Sequence, residues 1–371
     1  MRLPARPRFP RPHALLVRAC ASAGLTSCAV LAAFAATTAQ GQRSATPITH
    51  DGGRTPGRTP SLVAAGRIAS SGGLALIIEP GQGMTQIDRD IESARRAVDM
   101  TMYELDDTTV EQALVADTRR GVRVRVLLNG GYYGGGGFSE NDDAIAYLRA
   151  NGVTVRSSPA WFALTHQKTI TIDGRTSLVM TLNLTSRYYA TDRDFAVIDT
   201  QPADVAAIEQ VFTADWNGRR VNPSTGSGDL LWSPGAGREQ LALIDGARTS
   251  LDIENEEMAD DAITAALCAA ARRRVQVRVV MTDEGSWREA FDELAACGVQ
   301  VRTYQEDAPL YIHAKAIVAD ARAAFVGSQN FSATSLDANR ELGIVTSNRA
   351  IVDQLEQTVT SDFAGGSSWK A

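Results

Sequence analysis

Residues 165–173 read THQKTITID, and residues 312–320 read IHAKAIVAD. The chain has four histidines, His13, His50, His166 and His313, and three lysines, Lys168, Lys315 and Lys370. A shuffled chain of this composition gives roughly 0.03 His-x-Lys pairs when template matches are counted. This chain has two, so the pairing is not compositional noise. An imidazole can attack an electrophile or deliver a proton. An ammonium group beside it can neutralise the anion that is attacked. In a strand, residues i and i+2 share a face. His166 and Lys168 are therefore expected to project together, with Ile170 and Ile172 behind them. His313 and Lys315 are expected to do the same, with Ile317 behind.

The spacing extends beyond the pairs. Asp173 and Asp320 each follow their lysine by five residues. Asp173-Gly174 is a hairpin signature, so both aspartates are expected to close their strands and serve a structural purpose. Asn183 and Asn330 each lie 17 residues after their histidine, and the acids Asp194 and Glu341 each lie 28 after. Equal spacings in two otherwise diverged stretches point to one shared spatial arrangement. Glu104 and Glu257 end matching strands and are read as equally suited to a cleft or to burial, outside the site.

These residues need elements to carry them, and the chain supplies the same set twice. IESARRAVDMTMYELDD (91–107) matches IDGARTSLDIENEEMAD (244–260), and VEQALVADTRRGVRVRVLL (110–128) matches ITAALCAAARRRVQVRVVM (263–281). The offset is 153, as in Asp99 to Asp252 and Val122 to Val275. That period is too long for a solenoid and indicates a duplicated domain. Each copy reads as helix, short strand, helix, buried strand, helix (143–150 or 288–296) and further strands. Such alternation implies layered α/β architecture. The expected division is 1–39 export signal, 40–73 flexible leader, 74–221 first lobe and 222–371 second lobe, joined near NPSTGSGD (222–229). The first lobe alone carries GGYYGGGG (130–137), read as a mobile loop.

Composition bounds the setting. Residues 1–18 hold Arg2, Arg6, Arg8, Arg11 and Arg18 and no acid, and an apolar stretch and small residues follow. That is the layout of a secretory signal peptide, with cleavage near Ala39. A retained anchor built from the same segment is the alternative, and LTSC (25–28) loosely resembles a lipoprotein site. His50 falls in the leader and is read as solvated. Loss of five arginines from 37 basic residues leaves 32 against 43 acidic ones, a net of −11. That balance opposes loose binding to nucleic acid, which depends on phosphate neutralisation. Of four cysteines only Cys268 and Cys297 would remain, as a disulfide or as two buried thiols. No His/Cys spacing suggests a structural metal.

HxKx4D followed by GSxN resembles the phospholipase D superfamily, and the duplication resembles its two-lobed form. His313, Lys315 and Asp320 match, followed by GSQN (327–330) and NRELG (339–343). His166, Lys168 and Asp173 also match, but MTLN (180–183) replaces GSxN. Thr181 stands in for the missing serine, and Met180 in place of glycine is expected to narrow that side of the pocket. The resemblance covers about residues 75–350. It implies two tandem α/β/α sandwich lobes related by a pseudo-twofold axis, with the active site at their interface.

The resemblance also implies a mechanism. His166 attacks phosphorus, and His313 donates a proton to the leaving alcohol and then activates water. The order follows the family habit that the first motif attacks. Asp194 and Glu341 orient the imidazoles. Lys168, Lys315, Asn183 and Asn330 bind phosphoryl oxygens, aided by Thr181 and Ser328. No metal or cofactor enters. The leading expectation is a secreted phospholipase D that hydrolyses phospholipid headgroups. The alternatives are a nuclease or other phosphodiesterase, a cardiolipin synthase-like phosphatidyltransferase, and an inactive binding module. A nuclease would need a groove built from arginines 119, 120, 123, 125 and 272–274. A lipid substrate would suit an apolar rim of Trp161, Phe162, Tyr188, Tyr189, Tyr132 and Tyr133 in transient contact with a membrane surface. One chain carries both motifs, so a monomer suffices.

Overall fold

The computed structural model describes residues 70–130 and 141–370. The expected export segment 1–39, nearly all of the leader, and Tyr132 and Tyr133 lie outside the described residues.

The first lobe runs β1 (Ser70–Ser71), β2 (Leu74–Glu79), α1 (Thr85–Glu92), β3 (Ala97–Met102), α2 (Thr108–Arg119) and β4 (Arg123–Leu128). It continues with α3 (Asp142–Ala150), β5 (Thr154–Ser157), β6 (Thr169–Ile172), β7 (Thr176–Met180), β8 (Asp192–Asp199) and α4 (Pro202–Trp216). The second lobe runs β9 (Leu230–Ser233), α5 (Ala236–Gly246), β10 (Ser250–Glu254), α6 (Asp261–Arg272), β11 (Gln276–Thr282), α7 (Arg288–Ala296) and β12 (Gln300–Tyr304). It ends with β13 (Tyr311–Ile312), β14 (Ala316–Ala319), β15 (Ala323–Gly327), α8 (Ala333–Asp337), β16 (Glu341–Thr346), α9 (Arg349–Gly365) and β17 (Ser367–Ser368).

Each lobe folds into one mixed sheet. The order β2-β8-β7-β6-β3-β4-β5 in the first is repeated as β9-β16-β15-β14-β10-β11-β12 in the second. The β3-β4-β5 and β10-β11-β12 trios are parallel and the hairpin strands beside them are antiparallel. Local chemistry starts the corresponding helices alike. The Asp107 side chain accepts from Thr109 N and Val110 N at the start of α2, and Asp260 accepts from Ile263 N at the start of α6. Such caps satisfy amides that have no partner in the first turn.

Period-two alternation decides which face each strand residue serves. Leu178 and Met180 pack in the core beneath α1–α3, while Val179 between them faces the other way. The second lobe builds an equivalent core with α5–α7. A third core lies between the two sheets and belongs to both. It joins Leu76, Val197 and Ile208 of the first lobe to Ala316, Val326, Ile344 and Leu355 of the second. Each such aliphatic side chain removed from water stabilises by about 1.5–3 kcal/mol.

Backbone and charge also cross this seam. Strand β13 pairs in parallel with β8 of the other lobe, Ile312 opposite Arg193. The mirror contact is a bridge between Thr165 and Arg340. Arg193 forms a two-pronged ion pair with Asp362, Nε to Oδ2 at 2.5 Å and Nη2 to Oδ1 at 3.0 Å. Arg340 does the same with Asp215 at 2.8 and 3.2 Å. All four residues are buried. Cys268 and Cys297 form a disulfide between α6 and the end of α7, which settles the choice that the sequence left open.

A buried ion pair adds little by itself, but losing one partner strands a charge. Asp215→Ala leaves Arg340 uncompensated and is expected to lower unfolding free energy by about 3–5 kcal/mol. Denaturant titration reads this directly, and a loss under about 1 kcal/mol, as at a solvent-exposed pair, would contradict it.

Candidate active site

Both His-x-Lys pairs sit just ahead of the strands β6 and β14, in extended connecting backbone instead of within the strands. The reason is pairing across the seam. His166 N and Gln167 N both donate to Arg340 O, which holds this backbone against the opposite lobe before it joins its own sheet. Lys168 Nζ donates to His166 O at 2.7 Å, and Lys315 Nζ donates to His313 O at 2.5 Å. Each lysine thus curls back onto its own histidine's backbone.

The orienting acids are exchanged between lobes. His166 Nδ1 lies 3.0 Å from Glu341 Oε2 and 3.2 Å from Ser328 O. His313 Nδ1 lies 2.8 and 3.1 Å from the two oxygens of Asp194. Holding Nδ1 on a carboxylate leaves Nε2 of each ring for chemistry. Glu341 also accepts from Ser335 Oγ at 2.6 Å and Asn339 Nδ2 at 2.9 Å. Asp194 accepts from Thr181 Oγ1 at 2.5 Å.

The electrostatics follow from burial. His166 is lowered to about 4 by burial and by the Lys168 charge, against the pull of Glu341. Its ring is therefore neutral at pH 7. Burial and the neighbouring Lys315 push Lys168 down to about 7. Burial works against ionised Glu341, yet His166, Lys168 and Ser335 hold it below the usual carboxylate range. Lys315 acts on both His166 and Lys168, so the two motifs share one electrostatic space.

Asn183 Nδ2 donates to Glu104 Oε2 at 3.5 Å, and Asn330 Nδ2 to Glu256 Oε2 at 3.3 Å. Glu104 thus stands against a site residue, which the sequence did not decide. Thr181 and Ser328, expected to contact substrate, are fully buried and turned elsewhere. Phe195 N donates to Thr181 Oγ1 at 2.8 Å and Leu342 N to Ser328 Oγ at 3.2 Å. These hydroxyls pin the strands that carry the orienting acids. Met180 does not narrow the pocket. It packs with Ala196 in the helix-side core. Its counterpart Gly327 is required by close approach, since an added Cβ would lie 2.4 Å from Gly343 Cα.

Asp173 and Asp320 stand apart from the histidines. Both adopt positive φ at the ends of β6 and β14. Asp173 Oδ1 accepts from Arg96 N and Ala97 N at 2.7 and 2.9 Å, and Asp320 Oδ1 accepts from Thr249 N and Ser250 N at 2.6 and 3.0 Å. Burial is the largest single influence on each and opposes its charge, but the amides together outweigh it and hold Asp173 low and Asp320 at about 2. They tie each hairpin to the start of β3 or β10.

Two further residues were missed. Tyr103 meets the His166 ring edge-on at 4.7 Å between centroids, with Lys168 Nζ 5.1 Å from the Tyr103 centroid. Glu256 Oε2 lies 2.8 Å from Lys315 Nζ and 3.6 Å from His313 Nε2. The repeat aligns these two positions with each other, and because their types differ the repeat concealed them. Asp192, Asp194 and His313 bring possible metal-ligand atoms within 4.8 Å of one another. Both Asp194 oxygens in that group already hold the imidazole.

Of the expected apolar rim, Trp161 and Phe162 pack together at 5.8 Å, with Arg220 over the first and Arg340 over the second. Tyr188 lies beneath Arg187. Tyr189 instead packs on the first-lobe core and donates to Asp107 at 2.9 Å.

The lobes, the paired motifs and their shared space define a two-lobed enzyme with one site between matching halves. The family described as "Cardiolipin synthase, PLD-like domain" matches residues 87–216 and 241–363. The chain belongs to this family, within the phospholipase D superfamily. It is 26% identical over 334 residues to cardiolipin synthase A of Pseudomonas entomophila, covering 78% of this chain and 68% of that protein. It is 24% identical to cardiolipin synthase of Geobacillus kaustophilus, covering 78% and 66%. The chain thus spans about two thirds of the length of these relatives. The fold is also that of the phosphatidylserine synthase of Haemophilus influenzae, with TM-score 0.64, 13% identity and coverage of 82% and 89%. Polyphosphate kinase of Porphyromonas gingivalis shares it at TM-score 0.60 and 15% identity, over 77% of this chain and 46% of that one.

Replacing an orienting carboxylate by its amide frees the imidazole to adopt the wrong tautomer. Glu341→Gln and Asp194→Asn are each expected to stay folded and to lose about 10²–10⁴-fold in turnover of a soluble phosphodiester. Turnover within about threefold of wild type in either variant would remove these carboxylates from the mechanism.

Proposed function

We propose that the protein transfers a phosphatidyl group between alcohols, through a phosphohistidine formed on His166. The observation that carries this reading is the pair of imidazoles, each with Nδ1 held by the opposite lobe and Nε2 left for reaction, beside two buried lysines. In the first step His166 Nε2 forms a bond to phosphorus as the bond to the leaving alcohol breaks. His313 Nε2 gives its proton to that alcohol. In the second step the acceptor hydroxyl gives its proton to His313 and bonds to phosphorus, and the N–P bond breaks. Lys168 and Lys315 stabilise the phosphoryl charge, and the second amide hydrogens of Asn183 and Asn330 serve the same oxygens. Preorganised donors of this kind contribute about 3–4 kcal/mol each to transition-state binding.

Hydrolysis, the leading expectation from sequence, is the same chemistry with water as acceptor. The names of the relatives favour an alcohol acceptor instead, with a second phospholipid's glycerol headgroup as the acceptor class. The charged surface disfavours a nuclease. Arg123 and Arg125 are paired with Asp99, Arg120 with Asp117 and Arg273 with Asp245, which offsets part of the positive charge that a nuclease groove would need. The Cys268–Cys297 disulfide supports an oxidising compartment and therefore export. No helix among the described residues is long and apolar enough to cross a membrane. Residues 1–39 would supply either the cleaved signal or an anchor.

Two measurements test this reading. Phosphatidylglycerol vesicles with excess chelator are expected to yield cardiolipin and free glycerol, and added ethanol should yield phosphatidylethanol. Phosphatidic acid alone would restore the hydrolytic reading, and nicked plasmid with inert vesicles would favour the nuclease. The second is the pH dependence of kcat/KM, which reports the free enzyme. His166 gains a proton and loses its nucleophilic lone pair as pH falls through about 4. Lys168 loses its charge as pH rises through about 7. Activity on a soluble diester should therefore fall on both sides of that window. An acid limb at an ordinary histidine value, about 6.5, would contradict His166 as the buried neutral nucleophile.

A further inference from the structure

The two halves of the site are nearly superposable, yet the proposed chemistry requires one neutral and one protonated imidazole. Each histidine has a carboxylate on Nδ1, so that contact does not distinguish them. The distinction lies just past matching strands, one residue beyond β3 and two beyond β10. With the repeat offset of 153, Tyr103 corresponds to Glu256. In the first lobe, His166 meets an aromatic ring edge-on at 4.7 Å, with Lys168 over the same ring. In the second, His313 Nε2 faces a carboxylate oxygen at 3.6 Å.

We propose that Glu256 is the residue that assigns the two histidines their opposite roles, by keeping the proton on His313 Nε2. Resting on the phosphohistidine reading above, this makes the second-lobe histidine the acid and the first-lobe histidine the nucleophile. His313 has a carboxylate on each side of its ring, Asp194 hydrogen-bonded at Nδ1 and Glu256 3.6 Å from Nε2. Such a ring is suited to carry two protons. Among the described residues the His166 ring meets its acceptors, Glu341 and Ser328 O, at Nδ1, and cationic Lys168 stands nearby. A second proton there is opposed. Glu256 neither attacks phosphorus nor delivers the proton itself. It acts through His313, and is a positioning residue.

A plainer role is available, because the same Glu256 oxygen lies 2.8 Å from Lys315 Nζ and 3.3 Å from Asn330 Nδ2. In that plainer role Glu256 would hold these two phosphate-binding groups and take no part in proton placement. The two roles separate by leaving group. p-Nitrophenolate departs without a proton, whereas an alkoxide requires one. Misplaced phosphate-binding groups slow both reactions, and an unprotonated His313 slows only the second.

The experiment compares wild type with Glu256→Gln, which keeps the shape and one acceptor for Lys315. First-turnover release is measured from bis(p-nitrophenyl) phosphate and from dihexanoyl phosphatidylglycerol, with folding checked by thermal unfolding. The variant is expected to release p-nitrophenolate within about threefold of wild type and glycerol about 10²-fold more slowly. Equal slowing on both substrates, or no slowing on either, overturns the role of Glu256. If Glu256→Gln does not fold, Glu256→Asp is used and the same split is required. A wild-type protein that releases neither alcohol overturns the proposed function itself.

Discussion

Each imidazole of the site is held by a carboxylate from the opposite lobe, and neither lobe contains a complete catalytic unit. His166 waits for Glu341 and His313 for Asp194. The seam therefore has to be built with the tolerance of an active site, in which hydrogen bonds hold heavy atoms to within a few tenths of an ångström. The chain achieves this by making the same strands do both jobs. Arg193 precedes Asp194 on β8 and pairs with Asp362, while Arg340 precedes Glu341 at the start of β16 and pairs with Asp215. Alternation sends each arginine to one side and the adjacent acid to the other. The ion pair positions backbone, and that backbone aims the carboxylate. Buried charge is an expensive means of adhesion compared with aliphatic packing. Its return here is geometric, since a two-pronged pair defines direction as well as proximity.

Duplication supplies this arrangement cheaply in sequence but creates a chemical difficulty. Two identical half-sites would place identical demands on both histidines, and an attacking base and a proton donor cannot be identical. The fold leaves the hydrogen-bond scaffold symmetric and varies what stands around it. Thr181 replaces Ser328 with the same clip on the following strand. Met180 replaces Gly327 where the surrounding core has room for a side chain, whereas Gly327 is closed in by Gly343. Such differences leave the scaffold unchanged. Replacement of an aromatic ring by a carboxylate, Tyr103 against Glu256, changes the electrostatics.

Much of this was legible in the sequence, for a physical reason. The two His-x-Lys pairs stand out because both residue types are scarce, and the spacings of 17 and 28 survive because hairpins and ladders lock register. The two-lobed α/β fold followed from the repeat. The exchange of acids was not legible, since it joins residues 119 and 175 positions apart and the spacing alone favours pairing within a lobe. The direction of Thr181 and Ser328 was missed because a hydroxyl one residue from a site looks the same whether it meets substrate or backbone. Glu256 was passed over because alignment set it against a tyrosine, and a search for equal residues hides the position where the halves must differ.

In the reaction proposed above, the choice between water and an alcohol depends on which of them reaches the phosphohistidine first. Both routes share the nucleophile, the acid and the phosphoryl contacts, so those groups cannot bias the outcome. Access can. His166 and His313 are 5% and 7% exposed, and Lys168 and Lys315 are 1% and 0% exposed. These four groups present little of their surface to bulk water. An enzyme acting at a membrane would meet headgroup hydroxyls at high effective concentration, because enzyme and acceptor would share one surface. Trp161 and Phe162, capped by Arg220 and Arg340, form a half-buried apolar and cationic patch, and Arg340 links that patch directly to the segment that carries Glu341. In the proposed transfer, a lipid surface that met Phe162 would lie against the ring that Arg340 covers, and Arg340 adjoins Glu341, the acid that holds His166.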